Sequence, residues 1–227
     1  MRVMQHTTHS GTRTLRLMLG TTNRGKIAEL VALLAARLPQ AGICGERLES
    51  PVPEDLPEVE ETGATVAENA AIKATAYARA SGEWTLADDT ALAVDALGGA
   101  PGIHTARYAG PNASPTDNRR RLLAELAEVP LNRRGAHFTC HLALADPTGV
   151  IRATSEGRCQ GRICTAPAGD EGFGYDPLFE IIEFRRTFAE LGLATRGVLS
   201  HRARAMEKMV PQIVQLLALD PPAKTEG

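Results

Sequence analysis

Residues 15–38 already confine the chain to a few architectures. The run LRLMLGTTN (15–23) reads as a buried strand entering a polar turn, and KIAELVALLAARL (26–38) sets Ile27, Leu30, Leu34 and Leu38 at helical spacing. Strand, polar turn and helix in that order open an α/β domain. Thr65 and Glu68 then form a T-x-x-E capping box for an alanine-rich helix running to about Ala80. Ser114-Pro115 starts another helix with proline at its first position, carrying Leu122, Leu123 and Leu126. AHFTCHLALAD (136–146) and GVIRATSEGRCQGRI (149–163), joined by the turn PTG, predict a hairpin. TFAE (187–190) caps a short helix, and Ser200 caps a last one whose apolar stripe is Met206, Val210, Ile213, Val214 and Leu217. Pro211 lies inside that helix and is expected to kink it. Hairpins and strand–helix units together predict one α/β domain with strands of mixed direction.

With 227 residues there is material for one sizeable core. A formal net charge of −2 gives no reason to expect a nucleic-acid polymer as partner, and no apolar stretch is long enough to cross a bilayer. Residues 1–14 read as a polar leader without the apolar segment of a signal peptide, and residues 220–227 as a flexible tail, so a cytoplasmic protein is expected. PVPEDLPEVEETG (51–63), with three prolines, reads as an extended loop. The basic runs NRRR (118–121) and NRR (132–134) read as solvated surface. None of Cys44, Cys140, Cys159 and Cys164 forms a CxxC pair. In HFTCH, strand alternation separates His137, Thr139 and His141 from Phe138, Cys140 and Leu142, making Cys140 a core residue, not a metal ligand.

Polar clusters gather at the ends of these elements. In TTNRGK (21–26), helix amides with Thr21, Asn23 and Lys26 suit phosphate, although the Walker pattern is absent. EETG (60–63) accompanies Asn69 and Lys73, one helical turn apart on a helix that is otherwise nearly all alanine. A strand predicted at Trp84–Ala87 ends in Asp88 and Asp89, carboxylates that suit a divalent cation such as Mg²⁺. In GFGYDP (172–177), glycines flank Phe173 and free its ring to stack on a base. Ser200-His201-Arg202 sets two basic residues against the helix dipole, a misfit that an anion or a ligand edge would relieve. Together these parts suit a polyphosphate with a ring attached.

In order and spacing, TTNRGK, EETGATVAENAAIKA, ADDTALAVDALGGAPGIHTARYAG, GFGYDPLF and SHRARAM resemble the inosine/xanthosine triphosphate pyrophosphatases, across residues 15–219. That resemblance implies an elongated single domain with a mixed central sheet flanked by helices, usually a homodimer, hydrolysing non-canonical purine nucleoside triphosphates (ITP, dITP, XTP) with Mg²⁺. It implies Asp89 as general base and Glu61, Asp88 and Asp89 as metal-binding carboxylates. Thr21, Asn23, Lys26 and Lys73 become phosphate-binding groups, with Thr22, Arg24, Gly25 and Thr90 as further substrate contacts; Phe173, Gly174, Tyr175, Asp176, Arg196, His201 and Arg202 become base-side contacts. Thr22 stands where the family has glycine, DDTAL where DDSGL is common, and Arg196 where lysine is usual. Two other readings remain: a Maf-like nucleotide pyrophosphatase, and a nucleotide-binding regulator without turnover. A phosphatase with an aspartate nucleophile would need D-x-D-x-T, which DDTAL does not supply.

Overall fold

The computed structural model describes residues 17–38 and 59–219. The leader, the tail, Cys44 and residues 51–58 of the proline-rich loop lie outside the described residues. No described helix is long and apolar enough to cross a membrane.

Strand β1 (Met18–Leu19) leads into α1 (Arg24–Arg37), and α2 (Val66–Ser81) precedes β2 (Thr85–Val94). After β3 (Pro101–Gly102) and α3 (Pro115–Glu125) come the long strands β4 (Gly135–Ala145) and β5 (Ile151–Ile163). Short strands β6 (Phe179–Ile181) and β7 (Arg186–Thr187) precede α4 (Phe188–Leu199) and α5 (His201–Leu219). The described strands form one sheet in the order β1-β2-β4-β5-β6-β7, with β3 on β2; β1 runs parallel to β2 and the other pairs are antiparallel. The mixed sheet is thus as expected, and the predicted hairpin is its longest pairing.

Both faces are covered, by different chemistry. One face packs Leu86, Cys140, Leu142 and Leu144 against Leu30 and Leu34 of α1 and Met206, Met209 and Ile213 of α5. Helix α5 approaches β5 so closely at Gly157 that a Cβ there would meet the backbone of His201 and Ala205. The other face meets α2 through a core of buried alanines, Ala70, Ala74 and Ala78 against Ala87, Ala143 and Ala145, with Ile151 packed at its side. Such small side chains bring helix and sheet close together, which is why Asn69 and Lys73 on α2 become buried polar groups. Thr65 and Glu68 form the predicted capping box, as do Thr187 and Glu190; Ser114 adds one with Asp117 that sequence reading did not identify. Helix α5 continues as one element through Pro211.

Two sequence expectations are corrected here. Strand β2 does not end at Asp88 and Asp89; it runs five residues beyond Asp89, paired to β4 throughout, with Asp88 opposite Leu142 and Asp89 opposite His141. Nor are the basic runs simply solvated. Arg134 is buried and donates to the carbonyls of Leu126, Val129 and Cys164, tying the end of α3 to the sheet. Asn118 is buried too, accepting from Ala109 N and donating to Ala106 O.

Candidate active site

Because β2 is a regular strand, its adjacent aspartates point to opposite faces of the sheet. Asp88 follows Leu86 towards α1 and α5; Asp89 follows Ala87 towards α2. The two neighbouring carboxylates are therefore compensated separately. Asp88 is fully buried and receives Arg202 through Nε at 3.2 Å and a terminal nitrogen at 2.9 Å, with Lys26 Nζ at 3.3 Å and the Thr90 hydroxyl at 3.3 Å. Burial alone would raise its pKa, but Lys26 and Arg202 outweigh burial and hold the carboxyl well below the usual range.

Asp89 meets Lys73, whose ammonium lies 3.1 Å from Asp89 Oδ1 and 2.7 Å from Glu61 Oε1. Here burial wins: the Asp89 pKa is raised despite Lys73 and Lys26. Lys73 is raised as well, since Asp89, Asp88 and Glu61 outweigh the burial that would lower it. A carboxylate with increased proton affinity facing a cleft is suited to accept a proton.

That cleft has a volume of about 1060 Å³, and every anticipated site residue lines it except Arg24, Gly25 and Asp88. Arg24 is exposed on α1. Gly25 acts from behind: a Cβ there would stand 2.8 Å from the Phe173 ring, so glycine lets that ring seat against α1. Asp88 is withdrawn onto the other face, so the structure does not bring it to Glu61 and Asp89 as a third metal-binding carboxylate. Among the described residues no group of three or more His, Cys, Asp and Glu side chains is placed to hold a metal. Glu61 and Asp89 do converge on a single ammonium, and two hard carboxylates completed by substrate phosphate oxygens and water are what Mg²⁺ accepts. The residues fit that ion in this form.

The TTNRGK turn is more self-contained than expected. Asn23 caps α1, accepting from Gly25 N at 3.0 Å and Lys26 N at 3.2 Å, and Thr21 Oγ1 accepts from Asn23 N at 3.2 Å. Those helix amides are already satisfied, so the Lys26 ammonium is the stronger anion contact.

The base-side residues are also tied together. Phe173 N donates to Asp176 Oδ2 at 3.0 Å, and Arg196 donates to the same oxygen at 3.2 Å. Burial nevertheless pushes Asp176 up to about 6. His201 stacks on Phe138, ring centroids 4.6 Å apart, and burial lowers its pKa well below the ordinary histidine value. Burial thus favours the neutral imidazole over a protonated donor. Arg202 spends four of its five N–H groups on Asp88, Glu29 and Thr90, leaving one for a ligand.

Sequence reading missed Glu29, which accepts from Arg202 at 2.5 Å and from the Ser200 hydroxyl at 3.3 Å, and Arg107, which lines the cleft near Glu61. The one signal for Glu29 was a charge beside Leu30 and Leu33 on the apolar face of α1; Arg107 had only its place in ADDTALAVDALGGAPGIHTARYAG, a stretch of the family resemblance in which it was not singled out. A second groove of about 940 Å³ between α1, α4 and α5 contains neither Asp89 nor either lysine.

The chain is similar to known proteins over most of its length. The pattern of the Ham1 family matches residues 17–212. A dITP/XTP pyrophosphatase of Rhodopirellula baltica is 46% identical over 205 residues, covering 90% of this chain and 96% of that protein. One from Gloeobacter violaceus is 47% identical over 196 residues, covering 86% and 92%. The solved HAM1 protein of Coxiella burnetii superimposes with a TM-score of 0.75 at 33% identity, covering 91% of this chain and all of the other. A nucleoside-triphosphatase, dITP/XTP pyrophosphatase, from Mycobacterium abscessus gives 0.65 at 39% identity, covering 88% and 100%.

Proposed function

The chain belongs to the Ham1 family, and we propose that its cleft hydrolyses ITP, dITP and XTP to the nucleoside monophosphate and pyrophosphate with Mg²⁺ bound. The protein is a hydrolase of non-canonical purine nucleoside triphosphates. The observation that supports these residue roles is the Glu61–Lys73–Asp89 cluster, with Lys26 beside it, opening into a cleft that also presents Phe173 and Arg202.

Asp89 holds a water and takes its proton as the water oxygen bonds to the α-phosphorus. The bond from that phosphorus to the bridging oxygen breaks, and pyrophosphate leaves with the electron pair. Lys26 and Lys73 offset charge on the phosphoryl oxygens as it develops. Glu61 and Asp89 are the residues that would hold Mg²⁺, which when bound neutralises triphosphate charge. The Phe173 ring takes one face of the base. The remaining N–H of Arg202 meets the 6-carbonyl of hypoxanthine or xanthine, whereas the 6-amino group of adenine would set donor against donor. Residues 15–219 form the catalytic domain on this reading, which extends to a cytoplasmic homodimer.

Pyrophosphate release from ITP, dITP, XTP, ATP and GTP, with Mg²⁺ present and after its removal by chelation, tests the proposal. The 6-keto, non-canonical substrates should lead by at least about tenfold, and chelation should abolish turnover. Equal rates on ATP, or undiminished turnover in chelator, would contradict it, and binding without turnover would favour the regulator.

A further inference from the structure

The cations of the cleft are not equally free to meet an anion. Lys26 lies 3.3 Å from Asp88, Lys73 is held between Glu61 and Asp89, Arg196 lies 3.2 Å from Asp176, and Arg202 is taken up by Asp88 and Glu29. Each therefore has a carboxylate within hydrogen-bonding or close ion-pair distance. Arg107 is different. Its one ion pair among the described residues is with Glu61 Oε2 at 3.9 Å, too long for a hydrogen bond, and its side chain is 41% exposed.

The backbone carrying Arg107 is nevertheless fixed on three sides. It ends a short 3-10 turn, Thr105–Arg107. The Thr105 hydroxyl accepts from Leu92 N at 2.8 Å and donates to Gly102 O at 2.5 Å, fastening the turn to β2 and β3. The Tyr175 hydroxyl donates to Thr105 O at 3.0 Å, and Asn118 donates to Ala106 O at 2.9 Å. Tyr175 comes from the Phe173 loop and Asn118 from α3, so three separate parts of the fold converge on this turn. An arginine needed only for solubility requires no such buttressing. A guanidinium with open donors among the described residues, carried on a fixed backbone at the cleft wall, suits a phosphate, which it can hold through two parallel N–H groups.

We infer that Arg107 binds the pyrophosphate portion of the substrate, the β- and γ-phosphoryl groups that become the leaving group. The inference rests on the proposed hydrolysis at the α-phosphorus. Asp89 and Lys73 mark the reacting phosphorus, and Glu61 stands between Lys73 and Arg107, so the guanidinium lies beyond the reaction centre. There it meets the end of the triphosphate that carries most charge, and it releases that charge as product.

Product inhibition separates this role from a structural one. Inorganic pyrophosphate and inosine monophosphate are each titrated against ITP turnover at fixed Mg²⁺, in the unmodified protein, Arg107→Ala and Arg107→Lys. Loss of a charge-assisted contact should raise the inhibition constant of pyrophosphate by about tenfold to a hundredfold in Arg107→Ala, with that of the monophosphate nearly unchanged. Arg107→Lys, which keeps the charge without the fork, should fall between. Equal shifts for both products, or none for pyrophosphate, overturn the assignment. If the unmodified protein releases orthophosphate instead of pyrophosphate, the hydrolysis reading fails first and this inference with it.

Discussion

Asp89→Asn should lower kcat for ITP by about 10²–10⁴-fold while leaving nucleotide affinity within a few-fold of normal. The substitution is nearly isosteric and keeps an oxygen for Lys73, which lies 3.1 Å from Asp89 Oδ1 and remains paired with Glu61 at 2.7 Å. What disappears is the group that accepts a proton, while the amide oxygen stays available to Mg²⁺ beside the Glu61 carboxylate. Burial has raised the proton affinity of Asp89 above that of an ordinary aspartate, which improves a base working near neutral pH. Steady-state kinetics together with equilibrium titration of a non-hydrolysable analogue separate the two effects. Near-normal turnover would remove Asp89 from the role of base and leave Glu61, the more exposed carboxylate, as the next group to examine.

Arg202→Ala should cost about 3–5 kcal/mol of folding stability, read by chemical denaturation. The guanidinium is 2% exposed and joins three elements: its own helix α5, Glu29 on α1, and Asp88 and Thr90 on β2. Removing it leaves the Asp88 carboxylate without its closest partner in a site with no access to water, and Lys26 at 3.3 Å compensates only in part. Asp88 already has one oxygen, Oδ1, with no hydrogen-bond partner among the described residues, so little slack remains. The dipole misfit pointed to Arg202 as a contact for an anion or a ligand edge, and the resemblance narrowed that to the base; the network makes it first a strut. Activity on ITP and ATP should therefore both fall with the folded fraction, and the protein that stays folded should also lose part of its preference for ITP as the N–H facing the 6-carbonyl is removed. A selective loss on ITP with less than about 1 kcal/mol of destabilisation would restore base reading as its main task.

The difference between those two accounts of Arg202 shows where sequence reading reaches its limit. Local signals carried well. The apolar spacing of α1, the capping boxes at Thr65 and Thr187 and the alternation of Phe138, Cys140 and Leu142 all depend on contacts between near neighbours, and the structure reproduces them. The continuation of β2 through its aspartates was not legible, because the charges that permit it come from other elements. Lys26 reaches Asp88 from α1, Lys73 reaches Asp89 from α2, and Arg202 arrives from α5, 114 residues along the chain. Two carboxylates in an apolar run look like a strand end until those cations are placed. Arg134 escaped for the same reason: its acceptors are backbone carbonyls at Leu126, Val129 and Cys164, which leave no mark in side-chain pattern. Gathering the polar clusters into one cleft was anticipated, yet which cations are already neutralised could be read only from distances.

The central claim is that water, activated at Asp89, attacks the α-phosphorus. Turnover of ITP in water enriched with oxygen-18, followed by phosphorus NMR or mass spectrometry of both products, tests it most directly. The account predicts one labelled oxygen in inosine monophosphate and none in the pyrophosphate. Label in the pyrophosphate would place the attack on the β-phosphorus, and orthophosphate with inosine diphosphate would place cleavage at the γ-phosphoryl group; either result contradicts the assignment.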